Sequence, residues 1–169
     1  MAAVYLKDYK EELRKVGDVV FKQRYRSPVL IVTGRTGDFV DEAPRRDKTM
    51  IAAPSGQPAQ SVALLDRVFA VTKATHAPRG PIVLGRSGEN DIPIPEFSIS
   101  KRHCYFEFEP EGITVTDCGS TNGTIVGDKR IDPKEPILIK DGAALALGRF
   151  LFAFRTAAGF HAHVKSLLG

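Results

Sequence analysis

Two different hydrophobic periodicities divide this chain. From Tyr5 to about Tyr25, the apolar positions Leu6, Tyr9, Leu13, Val16 and Val20 recur at spacings of 3, 4, 3 and 4, which predicts an amphipathic helix. Lys7, Asp8, Lys10, Glu11, Glu12, Arg14 and Lys15 stand between them as a solvated face, and Gly17 weakens the helix locally. Its apolar stripe either docks on the rest of the molecule or serves a partner or a second copy. Val29-Leu30-Ile31-Val32-Thr33, bounded by Ser27-Pro28 and Gly34, is short, apolar and β-branched and predicts a buried strand. Residues 34–60 carry dense charge, several prolines and few apolar side chains, as expected of a long loop or linker.

Beyond residue 61 the pattern changes to short segments separated by turn residues: Val68–Lys73, Ile82–Gly85, Asp91–Ile94, His103–Glu109, Ile113–Asp117, Thr124–Val126, Ile137–Ile139, Ala144–Leu147 and Phe150–Arg155. In one of them Cys104, Phe106 and Phe108 alternate with Tyr105 and Glu107, the period of a half-buried strand. Many short strands at this spacing predict an all-β sandwich or barrel and exclude a βαβ fold. Phe160, Val164, Leu167 and Leu168 return to helical spacing, so a short C-terminal helix is expected to pack back on the sandwich. The chain thus divides into 1–61, holding helix, short strand and linker, and 62–169, the sandwich with its terminal helix.

Composition narrows the function classes. The 169 residues carry 24 Lys+Arg against 20 Asp+Glu, a net charge of +4, and most of that excess falls before residue 61. A nucleic-acid binder concentrates positive charge on its main domain, and none is expected here. No apolar run reaches the roughly 18 to 20 residues that span a bilayer, and the N-terminal residues lack a basic stretch followed by an apolar one, so a soluble, cytoplasmic protein with no membrane partner is expected. The two cysteines, Cys104 and Cys118, make no CxxC pair and are expected to be buried thiols. His76, His161 and His163 have no convergent ligand spacing, so neither metal nor cofactor is anticipated.

Polar residues and glycines cluster where the predicted strands end, in Gly85-Arg86-Ser87, Ser98-Ile99-Ser100-Lys101-Arg102-His103 and Asp117-Cys118-Gly119-Ser120-Thr121-Asn122-Gly123-Thr124. Brought to one rim, these segments offer a guanidinium fork, an ammonium, hydroxyls, an amide and backbone N–H groups, an inventory suited to a tetrahedral dianion. Ser100, His103 and Asp117 can also be written as a hydrolase triad. No Gly-x-Ser-x-Gly is present, however, and residues three apart on a strand point to opposite faces, so no enzymatic activity is expected.

The order Gly-Arg, Ser-x-x-His, Ser-Thr-Asn-Gly-Thr over about residues 62–156 resembles the forkhead-associated (FHA) family of phosphothreonine-peptide readers. The resemblance implies a sandwich of two twisted, mostly antiparallel sheets. It also implies phosphopeptide contacts from Arg86, Ser100, Lys101, Thr121, Asn122 and Ser98, with Gly85, His103 and Gly123 as supports of the site. Arg86, Ser100 and Thr121 would hold the phosphate, Asn122 the peptide main chain, and Ser98 the residues C-terminal to the phosphothreonine. Asn122-Gly123 is equally a hairpin-turn signal, and Lys101 equally a solvated charge. Cys104 and Gly127-Asp128 depart from the family pattern, where a small Ala and an Asn-Gly are usual. The function implied is a non-catalytic adaptor for a phosphothreonine-bearing partner in Ser/Thr kinase signalling; a phosphate-independent scaffold is the alternative. Partner, flanking preference and oligomeric state are left open. Because all three blocks lie beyond residue 84, removal of residues 1–26 is expected to spare the site.

Overall fold

The computed structural model describes residues 4–36, 64–74 and 79–169. Most of the expected linker 34–60, and His76, lie outside the described residues. Among the described residues, helix α1 (Leu6–Arg24) comes first, and helix α2 (Ala157–Ser166) follows the last of eleven strands. These are β1 (Val29–Arg35), β2 (Val68–Ala70), β3 (Ile82–Gly85), β4 (Ile92–Pro93), β5 (Cys104–Glu109), β6 (Gly112–Asp117), β7 (Thr124–Val126), β8 (Lys129–Arg130), β9 (Ile137–Ile139), β10 (Ala144–Leu147) and β11 (Phe150–Arg155). They form two sheets, in the orders β2-β1-β11-β10-β7-β8 and β4-β3-β5-β6-β9. All pairings are antiparallel except the short contact of β3 with β4.

Between the sheets lies the main core, built from Leu30, Val32, Leu84, Phe106, Val115, Leu147, Phe150, Phe152 and Phe154 among others. The alternation in β5 works as expected at Cys104 and Phe106, but Phe108, at the strand's far end, is exposed. A second core covers the outer side of β1 and β2, where Val29, Ile31 and Val68 meet Tyr9, Leu13 and Phe21 of α1 and Phe160 and Val164 of α2. From Val29 to Val32 strand β1 is therefore apolar at every position because both of its faces are buried there, the condition under which strand alternation disappears. It pairs with β2 on one side and β11 on the other, so the sandwich draws on residues from both sides of the 61/62 division.

The docked α1 answers one of the alternatives left by its sequence and corrects another expectation. Gly17 adopts φ 80°, ψ 169°, interrupting the helix, and the apolar stripe changes phase beyond it. Phe21 (1% exposed) takes the buried place that the uninterrupted period assigns to Val20 (36%). Asp18, one residue after the break, accepts hydrogen bonds from His161 Nε2 at 2.7 Å and Lys165 Nζ at 3.0 Å, fastening α1 to α2. Tyr9 packs edge-on to Phe160 with 5.0 Å between ring centroids. Removal of residues 1–26 would uncover this second core. Even the single change Phe21→Ala is expected to cost about 3 to 5 kcal/mol by cavity formation, read as a lower denaturant midpoint at unchanged slope. A midpoint equal to wild type would mean that α1 does not stabilise the sandwich.

Candidate functional site: a rim of three loops

Hydrogen bonds tie the three polar segments together at one end of the sandwich. Strand β3 delivers Arg86, whose backbone N–H donates to the Ser100 carbonyl at 2.9 Å, and the Ser87 N–H donates to the Lys101 carbonyl at 3.3 Å. Ser100 Oγ in turn accepts the Thr121 N–H at 3.0 Å, joining the 98–103 segment to the 119–123 segment. Arg86, Ser100, Lys101, Thr121 and Asn122 thereby share one rim. Arg86 and Ser100 are half-buried, while Lys101 and Thr121 are exposed. One guanidinium nitrogen of Arg86 donates to the Phe97 carbonyl at 3.3 Å, its one side-chain hydrogen bond to the described residues.

Gly85 is required by close approach and Gly123 by its backbone conformation. A methyl group on Gly85 would stand 2.1 Å from the Lys101 carbonyl oxygen and 2.7 Å from Asn90 Nδ2. On Gly123, which adopts φ 83°, it would stand 2.7 Å from the Arg130 guanidinium. His103 is fully buried beneath the rim. Its Nδ1 accepts the Ser100 N–H at 3.1 Å, and its Nε2 lies 2.9 Å from the Gly123 carbonyl, so the neutral tautomer with hydrogen on Nε2 satisfies both partners. Burial holds this imidazole below its ordinary pKa, against the opposing influence of the Gly123 carbonyl and the Asp117 charge.

This geometry disposes of the hydrolase triad. Both ring nitrogens of His103 are committed to the backbone, and Ser100 Oγ is held by Thr121. Asp117 accepts from the Gly119 N–H at 2.8 Å, the Ser120 N–H at 2.9 Å, Ser120 Oγ at 2.6 Å and Thr124 Oγ1 at 2.7 Å. Burial raises its carboxyl pKa, but the bonds from Ser120, Thr124 and Gly119 outweigh burial and leave it below the usual carboxylate value. Asp117 shapes the 118–121 turn.

Ser98 corrects the set of peptide-contacting residues implied by resemblance. It is 4% exposed. Its hydroxyl donates to Glu96 Oε2 and accepts the Arg149 N–H at 3.0 Å, and its carbonyl accepts Asn122 Nδ2 at 2.7 Å. With its hydroxyl committed below the surface, Ser98 anchors the loop. Cys104 is buried as expected, whereas Cys118 is only half-buried; burial pushes both thiols up, well above the ordinary value for Cys104.

Several supports escaped sequence reasoning. Buried Asn90 donates from Nδ2 to the Ser87 carbonyl at 2.9 Å and the Lys101 carbonyl at 2.6 Å, clamping the first loop to the second. Its place in Gly85-Arg86-Ser87-Gly88-Glu89-Asn90-Asp91-Ile92 was the available signal. Buried Glu96 pairs with Arg149 at 2.7 Å, and the guanidinium stacks 4.2 Å from the Phe97 ring centroid, binding the second loop to the β10–β11 turn. A methyl group on Gly148 in that turn would stand 2.5 Å from the Ser98 carbonyl oxygen.

The FHA domain family matches residues 82–148, the span that carries all three loops. Among curated relatives, the ABC transporter ATP-binding/permease protein Rv1747 of Mycobacterium tuberculosis is 35% identical over 77 residues, covering 46% of this chain and 9% of that protein. The glycogen accumulation regulator GarA of the same organism is 32% identical over 72 residues, 43% of either chain. The chain thus spans less than half the length of these relatives. A solved FHA domain, that of the CT664 protein from Chlamydia trachomatis, is 19% identical with a TM-score of 0.48, over 76% of this chain and 96% of that one. Residues 82–148, bearing Gly-Arg, Ser-x-x-His and Ser-Thr-Asn-Gly-Thr on one rim, belong to the FHA family.

Proposed function

We propose that the rim reads phosphothreonine in an extended segment of a partner protein and that the chain acts as a non-catalytic adaptor in Ser/Thr kinase signalling. The observation that carries this reading is the hydrogen bond from the Thr121 N–H to Ser100 Oγ, which with the Arg86 N–H bond to the Ser100 carbonyl assembles donors from three separate loops. Arg86 supplies a guanidinium fork matched to phosphate oxygens, and Ser100 and Thr121 supply hydroxyls that fix its orientation. Asn122 uses one amide hydrogen on the Ser98 carbonyl, which leaves its carbonyl oxygen to meet a peptide N–H. Lys101, exposed beside them, adds a point charge. Membership of the FHA family supports the phosphothreonine assignment. Gly85, Gly123 and His103 hold the loops without touching the ligand.

Three or four charge-assisted hydrogen bonds of about 1.5 to 3 kcal/mol each, set against the cost of ordering a peptide, place the affinity near micromolar, about −8 kcal/mol. Calorimetric titration with matched peptides bearing phosphothreonine, phosphoserine or unmodified threonine tests the reading. Binding to the phosphothreonine peptide is expected at about 1 μM. The unmodified peptide should show none, and phosphoserine should bind more weakly because the γ-methyl is lost, about 0.8 kcal/mol from burial alone. Equal binding of modified and unmodified peptides would favour a phosphate-independent scaffold.

A further inference from the structure

Beyond Asn122 the rim continues onto a second guanidinium. The two-residue turn Gly127-Asp128 joins β7 to β8 and sets Arg130 opposite Ile125 at the edge of the six-stranded sheet. From there its side chain lies back against Gly123: a methyl group built on that glycine would stand 2.7 Å from Cζ and Nε and 2.8 Å from Nη2. Only the absence of a side chain at 123 allows this seat. Arg130 is exposed and makes no hydrogen bond or ion pair with another described residue. The contacts run in succession from Arg86 to Ser100, from Ser100 to Thr121, along the chain to Gly123, and from Gly123 to Arg130. Arg86 enters from the five-stranded sheet and Arg130 from the other, with the 121–123 loop between them.

We propose that Arg130 forms a carboxylate-selective subsite that takes an Asp or Glu side chain of the bound segment, flanking the phosphothreonine where the segment passes Asn122 and Gly123. This rests on the phosphothreonine reading of the rim. An extended peptide held by its phosphate at Arg86, Ser100 and Thr121 and by its main chain at Asn122 meets Arg130 next. A planar guanidinium seated on a glycine, with no anion among the described residues to compete, presents paired donors in the spacing a carboxylate accepts. The charge is solvent-exposed, so the effect is moderate and declines with added salt.

The test uses the full chain and a phosphothreonine peptide on an alanine background, alongside versions in which one Glu occupies each flanking position in turn. Calorimetry is expected to show about a three- to tenfold gain in affinity at one position or two neighbouring ones. Arg130→Gln should abolish that gain while changing affinity for the alanine peptide by about twofold or less, and Arg130→Lys should retain part of it. A wild-type protein indifferent to Glu at every position would overturn the subsite, as would a preference that survives in Arg130→Gln. Equal losses for the Glu and alanine peptides would assign Arg130 to the phosphate itself. Failure of the wild type to bind even the alanine phosphothreonine peptide would instead defeat the underlying reading of the rim, and the subsite with it.

Discussion

Arg86→Ala is expected to weaken phosphothreonine-peptide binding by roughly 30- to 1,000-fold while leaving the protein folded. Removing the fork leaves a partly desolvated dianion without its principal counter-charge, a loss of about 2 to 4 kcal/mol. The fold loses little, because the side chain's hydrogen bond to the described residues is the long one to the Phe97 carbonyl, 3.3 Å, and the backbone bond to Ser100 survives any side chain. Arg86→Lys should recover part of the affinity as a point charge without the fork. Calorimetry paired with thermal denaturation checks both halves. Retained affinity within about threefold of wild type would remove Arg86 from the phosphate site.

His103→Ala is expected to damage stability and binding together. The imidazole is fully buried, and its loss leaves the Ser100 N–H and the Gly123 carbonyl unpaired over a cavity, about 3 to 5 kcal/mol in all. Both orphaned groups belong to loops that hold the rim, so affinity should fall even at temperatures where the variant is folded. Protonation of the native residue has a milder form of the same effect, since a hydrogen on Nδ1 destroys the acceptor for Ser100. Its folded pKa is depressed, so the neutral-imidazole contribution is fully present above the unfolded value of about 6.5 and is lost as pH falls through that value toward the folded one. His163, also depressed chiefly by burial, adds in the same direction. Melting temperature should decline from pH 7 to pH 5, and less steeply in His103→Ala. A variant with an unchanged melting temperature but no binding would make His103 a direct ligand.

The parts of this molecule legible in the sequence are those whose determinants lie close together along the chain. Cys104 and Phe106 alternate with polar neighbours within one strand, and Gly85-Arg86 and Ser120-Thr121-Asn122-Gly123-Thr124 carry their chemistry in consecutive residues. What stayed hidden depends on contacts between distant residues or on a single backbone angle. The Glu96–Arg149 pair spans the second loop and the β10–β11 turn, with no local pattern to announce it. Ser98 looked available because two of its partners, Arg149 and Asn122, reach it only in the folded chain. Gly17 was visible as a weak point, but the rotation that exchanges Val20 for Phe21 follows from its φ of 80°. Strand β8, two residues long, is too short for any periodicity.

The double burial of β1 has a consequence for synthesis. Its partner β11 lies far later in the sequence, so β1 leaves the ribosome well before the segment that completes its sheet exists. A nascent strand of this kind, Val29-Leu30-Ile31-Val32, is an adhesive edge as long as it stands alone. Helix α1 is made just before it and carries Tyr9, Leu13 and Phe21, the side chains that cover Val29 and Ile31 in the finished molecule. Order of translation thus places a cover beside one face of this apolar segment at the moment it appears, while the opposite face, with Leu30 and Val32, waits for Phe152 and Phe154, made much later.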